Sequence, residues 1–280
     1  MTTHQESLPL ISVIMPVHNG EIFVENAIKS VLGQTYNNFE FIIVDDGSID
    51  QTLSILNKMA QSDQRIKLIK NEKSYGIGYS LNRAIKKSQG LYIARMDADD
   101  IMAPSRLEEE INFLINNPKV VVVGSYMKEI DENQTIIGQR LVPLNHKEIY
   151  HMMYFSMAIQ NPTSMINKAL IPKNFGWNEP EGIKYGCDDL DLLFKLLQFG
   201  EFGNISKFLM FYRIHKSNLS LSNIKKTFRE AKQIRIRAIK NYHYHPTFKG
   251  KLMMLIQSIF VFLLPSKYLY LTYKLFKNIE

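Results

Sequence analysis

The sequence predicts an α/β protein with a mainly parallel sheet flanked by helices and a helical extension at its C-terminal end. Short apolar runs alternate with segments of helical spacing, which is typical of parallel sheets with crossover helices. Acidic or polar residues follow several of the apolar runs, as expected where ligands bind at strand ends. The last part of the chain changes to basic, amphipathic patterning.

The alternation can be followed along the chain. We expect strands over residues 10–15, 39–44, 66–69, 91–96 and 120–123, and helices over 22–32, 51–62, 76–87 and 104–116. Pro16 is expected to end the first strand, because proline has no N–H group to give to a sheet. A strand pair over 126–142, a helix over 188–199 and a strand over 208–213 complete a predicted domain of residues 1–220.

Composition favours a globular protein in a reducing compartment. Apolar residues make up 45% and charged residues 22% of the chain, both ordinary values. The single cysteine, Cys187, excludes an internal disulfide and a cysteine-based zinc site. Residues 1–9 lack the charged-then-apolar pattern of a signal peptide, so we expect a cytoplasmic location.

The basic character of the chain lies in residues 221–280, which hold 12 Lys or Arg and 2 Asp or Glu. Residues 1–220 hold 22 Lys or Arg and 25 Asp or Glu. Residues 224–242 predict a basic amphipathic helix, and residues 252–264 are mostly apolar but shorter than the roughly 20 residues that span a bilayer. This unit either packs on the domain, or lies on the anionic inner face of the cytoplasmic membrane, or does both.

Three carboxylates, Asp97, Asp99 and Asp100, lie within four positions after the fourth predicted strand. Carboxylates this close raise one another's pKa unless a cation lies between them. A divalent metal that carries a diphosphate meets this need, because Mg²⁺ and Mn²⁺ prefer carboxylate and phosphate oxygens. A solvated acidic turn before a helix explains the same residues, so the interpretation depends on the other strand ends.

Other polar clusters occur at residues 16–19 (Pro-Val-His-Asn), 45–48 (Asp-Asp-Gly-Ser) and 188–189 (Asp-Asp). With these, the chain resembles the family 2 glycosyltransferases, which have the GT-A fold, over roughly residues 9–215. The matching segments are residues 12–19, 30–36, 44–48, 76, 81–82, 90–94 and 97–100. Each segment is a weak signal, but the ordered set at this spacing is a strong one.

The resemblance implies a site for the nucleobase and ribose of a sugar nucleotide, commonly UDP. It maps this role onto Pro16, His18, Asn19 and Asp46. His18 stands where the family usually has tyrosine. An imidazole can still stack on a base, but this difference leaves the choice of nucleotide open.

The resemblance also implies a metal site for Mn²⁺ or Mg²⁺. Asp97 and Asp99 match the family's Asp-x-Asp motif, with Asp99 as the metal ligand and Asp97 in contact with the ribose or a metal-bound water. Residues 212–215 (Tyr-Arg-Ile-His) resemble a late family segment that makes His215 a second candidate ligand. Asp100 is expected to support the loop.

A general base and an acceptor pocket are expected further along the chain. The family's Glu-Asp pair corresponds to Asp188 and Asp189, which makes Asp189 the candidate base that takes a proton from the acceptor hydroxyl. Asp188 and Trp177 are candidates for the acceptor pocket. Asp191 is expected to cap the helix, because acidic residues favour the first helical turn.

The resemblance implies an inverting glycosyltransferase that moves a sugar from a nucleotide-diphosphate donor to a saccharide or lipid-linked acceptor, in cell-surface polysaccharide or lipopolysaccharide synthesis. The alternatives are a nucleotidyltransferase, although no glycine-rich phosphate loop follows the first strand, and an inactive membrane-associated scaffold, although the carboxylates are intact. A nucleic-acid partner is not expected, because acidic strand ends repel phosphates. The sequence leaves the donor sugar, the acceptor and the oligomeric state open.

Overall fold

The computed structural model describes residues 8–173, 175, 188–215 and 224–265. The strands are β1 (Ile11–Val17), β2 (Phe39–Asp45), β3 (Ile66–Lys70), β4 (Tyr92–Arg95), β5 (Ile101–Met102), β6 (Val120–Ile130), β7 (Ile136–Arg140), β8 (Met165–Asn167) and β9 (Glu201–Arg213). The helices are α1 (Val24–Leu32), α2 (Thr52–Ser62), α3 (Ile77–Lys87), α4 (Arg106–Asn116), α5 (His146–Met152), α6 (Asp188–Leu196), α7 (Ile224–Asn241) and α8 (Phe248–Leu263).

These strands form one mixed sheet in the order β3-β2-β1-β4-β8-β6-β9-β5, and β7 pairs with β6. The four strands β3, β2, β1 and β4 are parallel, and β8 is antiparallel to both β4 and β6. Strands β4 and β6 run in the same direction, because β8 is antiparallel to both. Strand β9 is parallel to β6 and so also runs in the same direction as β4. The carboxyl ends of β1, β2, β4 and β9 therefore lie along one edge of the sheet.

Helices cover both faces of this sheet, and each face has its own apolar core. Successive residues of a strand point to opposite faces. Val13 and Met15 of β1 accordingly pack with α1, α2 and α4, whereas Ile14 packs in a second cluster with α3, α6 and α7. The mixed, mainly parallel sheet between helical layers confirms the predicted fold class.

The expectation that Pro16 ends the first strand is wrong, since β1 continues through Val17. Ile14 O accepts from Met96 N on the β4 side, and Val17 O accepts from Asp46 N on the β2 side. The backbone nitrogen of Pro16 therefore points to the β4 side. The last paired residue of β4 is Arg95, opposite Ile14, so the missing N–H of Pro16 removes no hydrogen bond of the sheet.

Strands β6 and β9 are much longer than predicted, and β5, β8 and α5 were not predicted. Gly124 and Ser125 interrupt the apolar run of β6, but the strand continues because both residues pair with β9. A Cβ atom at Gly124 would lie 2.5 Å from Asn204 Oδ1 of β9, so only glycine permits this close packing. The predicted strand pair over 126–142 is present as β6 and β7.

Helix α7 of the basic extension packs on the domain. Ile234 and Ala238 are buried in the same apolar cluster as α6. Asp191 of α6, expected as a cap, is instead buried and accepts from Tyr242 Oη at 3.1 Å, with Arg237 Nη1 3.6 Å away. The domain boundary after residue 220 remains a prediction, because it falls among residues outside the described part of the chain.

A fully buried ion pair on α4 holds the end of β4. Arg106 Nε lies 2.9 Å from Glu110 Oε1, and neither side chain is exposed. Arg106 also donates to the backbone oxygens of Arg95 and Ser164, at 2.9 and 3.2 Å. This guanidinium thereby joins β4 to the segment before β8, just before the acidic residues 97–100.

Replacing Glu110 with alanine is expected to lower the free energy of unfolding by about 3–5 kcal/mol, because it leaves the buried Arg106 cation unpaired. Urea denaturation measures this loss. Glu109→Ala on the same helix is the matched control: its ion pair with Lys207 is partly exposed to solvent, and we expect a loss below about 1 kcal/mol. Equal losses of unfolding free energy in the two variants would contradict a structural role for the buried Arg106–Glu110 pair.

Candidate active site

The polar residues that follow β1, β2, β4 and β9 meet at the edge of the sheet described above. Parallel strands in register place residues 16–19, 45–48 and 97–100 side by side, because Val17 is opposite Asp45 and Ile14 is opposite Arg95. Ligands of open α/β sheets bind at this edge. The predicted site residues of these segments are therefore brought together.

The loop after β1 holds His18 in one tautomer. His18 Nδ1 lies 2.9 Å from the backbone oxygen of Asp46, which can only accept, so Nδ1 carries the proton. Nε2 is then the acceptor for Asn19 Nδ2 at 3.2 Å. Asn19 Oδ1 accepts from the backbone N–H of Ile49, so the loops after β1 and β2 are joined, and Pro16 lies buried in β1 behind them. The exposed imidazole is thus fixed at the rim of the site.

Asp46 is buried beneath the segment that follows β3. Its carboxylate accepts hydrogen bonds from the side chains of Asn71, Ser74 and Ser80 and from the backbone N–H groups of Tyr75 and Gly76. Burial raises the pKa of Asp46, but these hydrogen bonds outweigh it and hold the pKa below its ordinary value. The five bonds occupy both oxygens, so Asp46 fixes the 71–76 segment beside the His18 loop.

Asp97 is paired with Arg95, two residues earlier in the chain. Arg95 Nε and Nη2 lie 3.0 and 2.8 Å from Asp97 Oδ1. Arg95 is buried, so the contact is a charge-assisted pair in a poorly solvated place. The arginine directs the first carboxylate of the acidic segment toward the site.

Asp99 faces His215, which lies just beyond the end of β9. Asp99 Oδ2 is 2.9 Å from His215 Nε2, although 116 positions separate the two residues in the chain. Arg213 makes this approach possible, because its Nε donates to the backbone oxygen of Asp99 at 2.8 Å. The ring of Phe23 contacts both the Arg213 guanidinium and the His215 imidazole, with centroid distances of 4.6 and 5.2 Å.

Asp100 is completely buried and supports this loop, as expected. Its Oδ1 accepts from the backbone N–H of Arg213 at 2.8 Å, while Oδ2 has no hydrogen-bond partner among the described residues. Burial raises the pKa of Asp100 well above its ordinary value, and the nearby charges of Asp99 and Asp97 raise it further. Negative charge is thus unfavourable at Asp100, and a cation bound beside the acidic segment would offset it.

Asp189 lies in the first turn of α6, partly exposed, with its Oδ1 2.9 Å from the Leu190 backbone N–H. Burial raises the pKa of Asp189, the positive charge of Arg95 opposes this shift, and Asp97 adds to it. Arg95 and Asp97 are thus close enough to act on this carboxylate. The backbone of Asp188 begins α6, and the predicted acceptor residue Trp177 lies outside the described residues.

The donor set fits a metal that is carried by a diphosphate. Among the described residues, no group of three or more His, Cys, Asp or Glu is placed to hold a metal ion by itself. Asp99 and His215 supply a carboxylate and an imidazole in direct contact, and the carboxylate of Asp97 lies two positions earlier in the same segment. Phosphate oxygens and water would complete the coordination of Mn²⁺ or Mg²⁺.

Two arginines of the site were missed from the sequence. Arg95 precedes Asp97 by two positions at a strand end, where alternate residues share a face, so the Arg-x-Asp pattern could have indicated the pair. Arg213 belongs to the segment matched at 212–215, but no role was expected for it. Its hydrogen bonds to backbone oxygens of residues 99, 131 and 132 leave no sequence pattern.

Comparison with known proteins decides the family. The profile of the family described as Glycosyl transferase family 2 matches residues 12–172. The chain belongs to this family. WbnJ from Escherichia coli, an O-antigen biosynthesis glycosyltransferase, is 32% identical over 219 residues, which cover 77% of this chain and 84% of WbnJ.

Two further matches bear on the fold and the substrates of relatives. WfgD from Escherichia coli is described as a UDP-Glc:alpha-D-GlcNAc-diphosphoundecaprenol beta-1,3-glucosyltransferase, and it is 35% identical over 162 residues, 58% of this chain and 62% of WfgD. The crystal structure of S. aureus TarS 1–349 in complex with UDP-GlcNAc is similar at a TM-score of 0.68 and 22% identity, over 87% of this chain and 70% of TarS 1–349. The chain is a glycosyltransferase with the GT-A fold.

Asp46→Asn is expected to lower the free energy of unfolding by about 1–3 kcal/mol near neutral pH, because an NH₂ group replaces an oxygen that faces buried donors. The folded-state pKa of Asp46 is lowered, so this stabilisation is present above the ordinary carboxyl pKa and is lost as the pH falls through the folded-state value. Urea denaturation at several pH values measures the difference between the two proteins, which should shrink at acid pH. Ser74→Ala, which removes one of the five bonds, should cost less; a larger cost would contradict the network.

Proposed function

We propose that this family member is an inverting transferase that moves a sugar from a UDP-linked donor to a hydroxyl group of a saccharide on a lipid-linked acceptor. One observation carries the proposal: the Asp99–His215 contact and the Arg95–Asp97 pair lie at the same sheet edge, within electrostatic reach of Asp189. A cation-binding pair, a fixed carboxylate and a separate carboxyl base are the groups that metal-assisted glycosyl transfer needs.

The nucleoside is proposed to bind between the loop after β1 and the segment fixed by Asp46. Pro16 supports the loop from behind, the exposed ring of His18 offers a flat face for a base, and Asn19 ties its loop to the one after β2. Asp46 acts by holding the 71–76 segment. A uridine nucleotide is supported by the donors named for WfgD and for the TarS complex.

The diphosphate is proposed to bind with Mn²⁺ or Mg²⁺, held by Asp99 and His215, while Asp97 contacts the ribose or a metal-bound water. When bound, the metal stabilises the negative charge that builds on the leaving diphosphate. Arg95 keeps one oxygen of Asp97 occupied and leaves the other, Oδ2, for the donor. Arg213 and Asp100 hold the loop that presents Asp99.

Asp189 is proposed to remove the proton of the acceptor hydroxyl. The acceptor oxygen forms a bond to the anomeric carbon, the bond from that carbon to the diphosphate oxygen breaks, and its electron pair leaves with UDP. A single displacement from the opposite face inverts the anomeric centre, through an oxocarbenium-like transition state. The raised pKa of Asp189 suits a base, because a carboxylate with a higher pKa takes up the proton more readily. Asp188 and Trp177 are kept as proposals for the acceptor pocket.

A lipid-linked acceptor is supported by the diphosphoundecaprenol compound named for WfgD and by the O-antigen pathway named for WbnJ. We therefore propose a role in cell-surface polysaccharide synthesis, at the cytoplasmic face of the membrane. Among the described helices, none combines the length and the apolar content needed to cross a membrane. We propose a peripheral location, through the basic helical extension.

UDP is expected to bind more tightly with Mn²⁺ than with EDTA, and Asp99→Ala should remove this metal-dependent gain, because it deletes the carboxylate of the Asp99–His215 pair. Calorimetric titration with UDP, GDP and CDP measures the affinities. Asp63→Ala is the control, since Asp63 precedes β3 and lies at the other edge of the sheet. Metal-independent binding in the wild type, or unchanged binding in Asp99→Ala, would contradict the metal assignment.

Asp189→Asn is expected to lower kcat by about 10²–10⁴-fold, because the amide cannot accept the acceptor proton, a loss typical of removing a general base. UDP affinity should be nearly unchanged, since Asp189 is not proposed to touch the nucleotide. The rate is measured as UDP release from UDP-sugars with a diphospholipid-linked saccharide acceptor. A variant that keeps kcat, or that loses UDP affinity instead, would show that Asp189 has another role.

A further inference from the structure

Helix α8 turns most of its large apolar side chains outward and packs on the protein through Gly250, Met254 and Ser258. It packs on the domain through Gly250 and Met254, which are buried. Ser258, on the same side, accepts from Lys232 Nζ of α7 at 3.1 Å. This arrangement is the reverse of an ordinary surface helix, whose apolar stripe faces the core.

The outward side forms a continuous apolar stripe. Phe248, Leu252, Leu255, Ile259 and Phe262 follow one another at intervals of three or four residues, which places them on one side of a helix. Their exposed fractions lie between 45% and 84%. Soluble proteins rarely expose contiguous apolar surfaces unless these contact a partner.

Positive charge borders this stripe. Lys249 and Lys251 lie on opposite sides of the stripe, roughly 100° and 60° from its centre, because successive residues of a helix are about 100° apart. Residues 248–263 contain no Asp or Glu. The preceding helix, α7, adds further lysines and arginines, of which Lys240 is exposed.

We propose that the outward side of α8 docks on the surface of an anionic lipid bilayer, with the helix lying in the plane of the interface. Apolar side chains would enter the boundary of the acyl chains while the lysines contact lipid phosphates. The helix has 16 residues, fewer than the roughly 20 that span a bilayer. A second copy of this chain packed stripe against stripe would cover the apolar residues, but its residues 248–263 would bring more lysines and no carboxylates to receive those of the first copy.

This contact would orient the candidate active site relative to the membrane. Helix α8 contacts α7 through Ser258, and α7 is joined to α6 through Asp191. Helix α6 carries Asp189 in its first turn. The inference deepens the proposed function by naming the surface that contacts the membrane. That this surface brings the site to a lipid-linked acceptor rests on the proposed function.

Co-sedimentation of the full chain with vesicles tests the inference without nucleotide or catalysis. We expect binding to phosphatidylcholine vesicles with about 30 mol% phosphatidylglycerol, and much weaker binding to phosphatidylcholine alone. Leu255→Glu/Ile259→Glu should lower the partition coefficient roughly tenfold or more, because it places charge in the apolar stripe. Lys249→Gln/Lys251→Gln should lower binding to the anionic vesicles and leave the weak binding to neutral vesicles unchanged.

Ile115→Glu/Ile136→Glu is the matched control, with the same change of charge at two exposed isoleucines on α4 and β7. It should bind vesicles like the wild type, and metal-dependent UDP binding should be the same in every variant. Absence of vesicle binding in the wild type, or equal loss in the control, would overturn the inference. A wild-type dimer that Leu255→Glu/Ile259→Glu converts to a monomer would also overturn it, since a second copy would then cover the stripe. If the wild type bound vesicles but did not bind UDP, this result would count against the proposed function alone.

Discussion

The hydrogen bonding of Arg213 joins the two parts of the chain that form the candidate site. Its backbone N–H bonds to Asp100 Oδ1, its Nε to Asp99 O and its Nη1 to Asp131 O, so the loop after β4 is attached to the end of β9. The short antiparallel pairing of β5 with β9 adds a second connection at the same place. Because of these contacts, His215 lies opposite Asp99. The Asp99–His215 contact is therefore a consequence of how β9 ends.

The site also depends on a balance of charges in a poorly solvated place. Asp97 has Arg95 as a partner, and the same arginine opposes the rise in the pKa of Asp189. Asp100 has a raised pKa, with burial and the nearby acidic groups as its causes, and one of its oxygens lacks a partner in the part of the chain that is described. Such an arrangement stores unfavourable electrostatic energy that a bound cation would relieve. This is the physical reason for proposing that metal and diphosphate bind together.

Much of the first half of the fold could be predicted, because its strands are short apolar runs whose helices follow in the usual order. The second half could not, since β8 has three residues and β6 and β9 contain glycine, serine and asparagine that only sheet pairing keeps extended. Residues 18, 46, 97, 99 and 189 were predicted as site residues from ordered motifs, and their roles stay predictions. The interpretation of Asp191 as a cap was wrong: besides Lys195 of its own helix, Asp191 contacts Tyr242 and Arg237, which lie about fifty positions later in the chain. A local pattern cannot show such a contact.

The most direct test of the central claim is a crystal structure of the chain with UDP and Mn²⁺, with anomalous diffraction used to locate the metal. The account predicts one Mn²⁺ in contact with Asp99, His215 and the diphosphate, and the uracil ring against His18. A metal bound elsewhere, or a nucleotide away from the carboxyl ends of β1, β2 and β4, would contradict it.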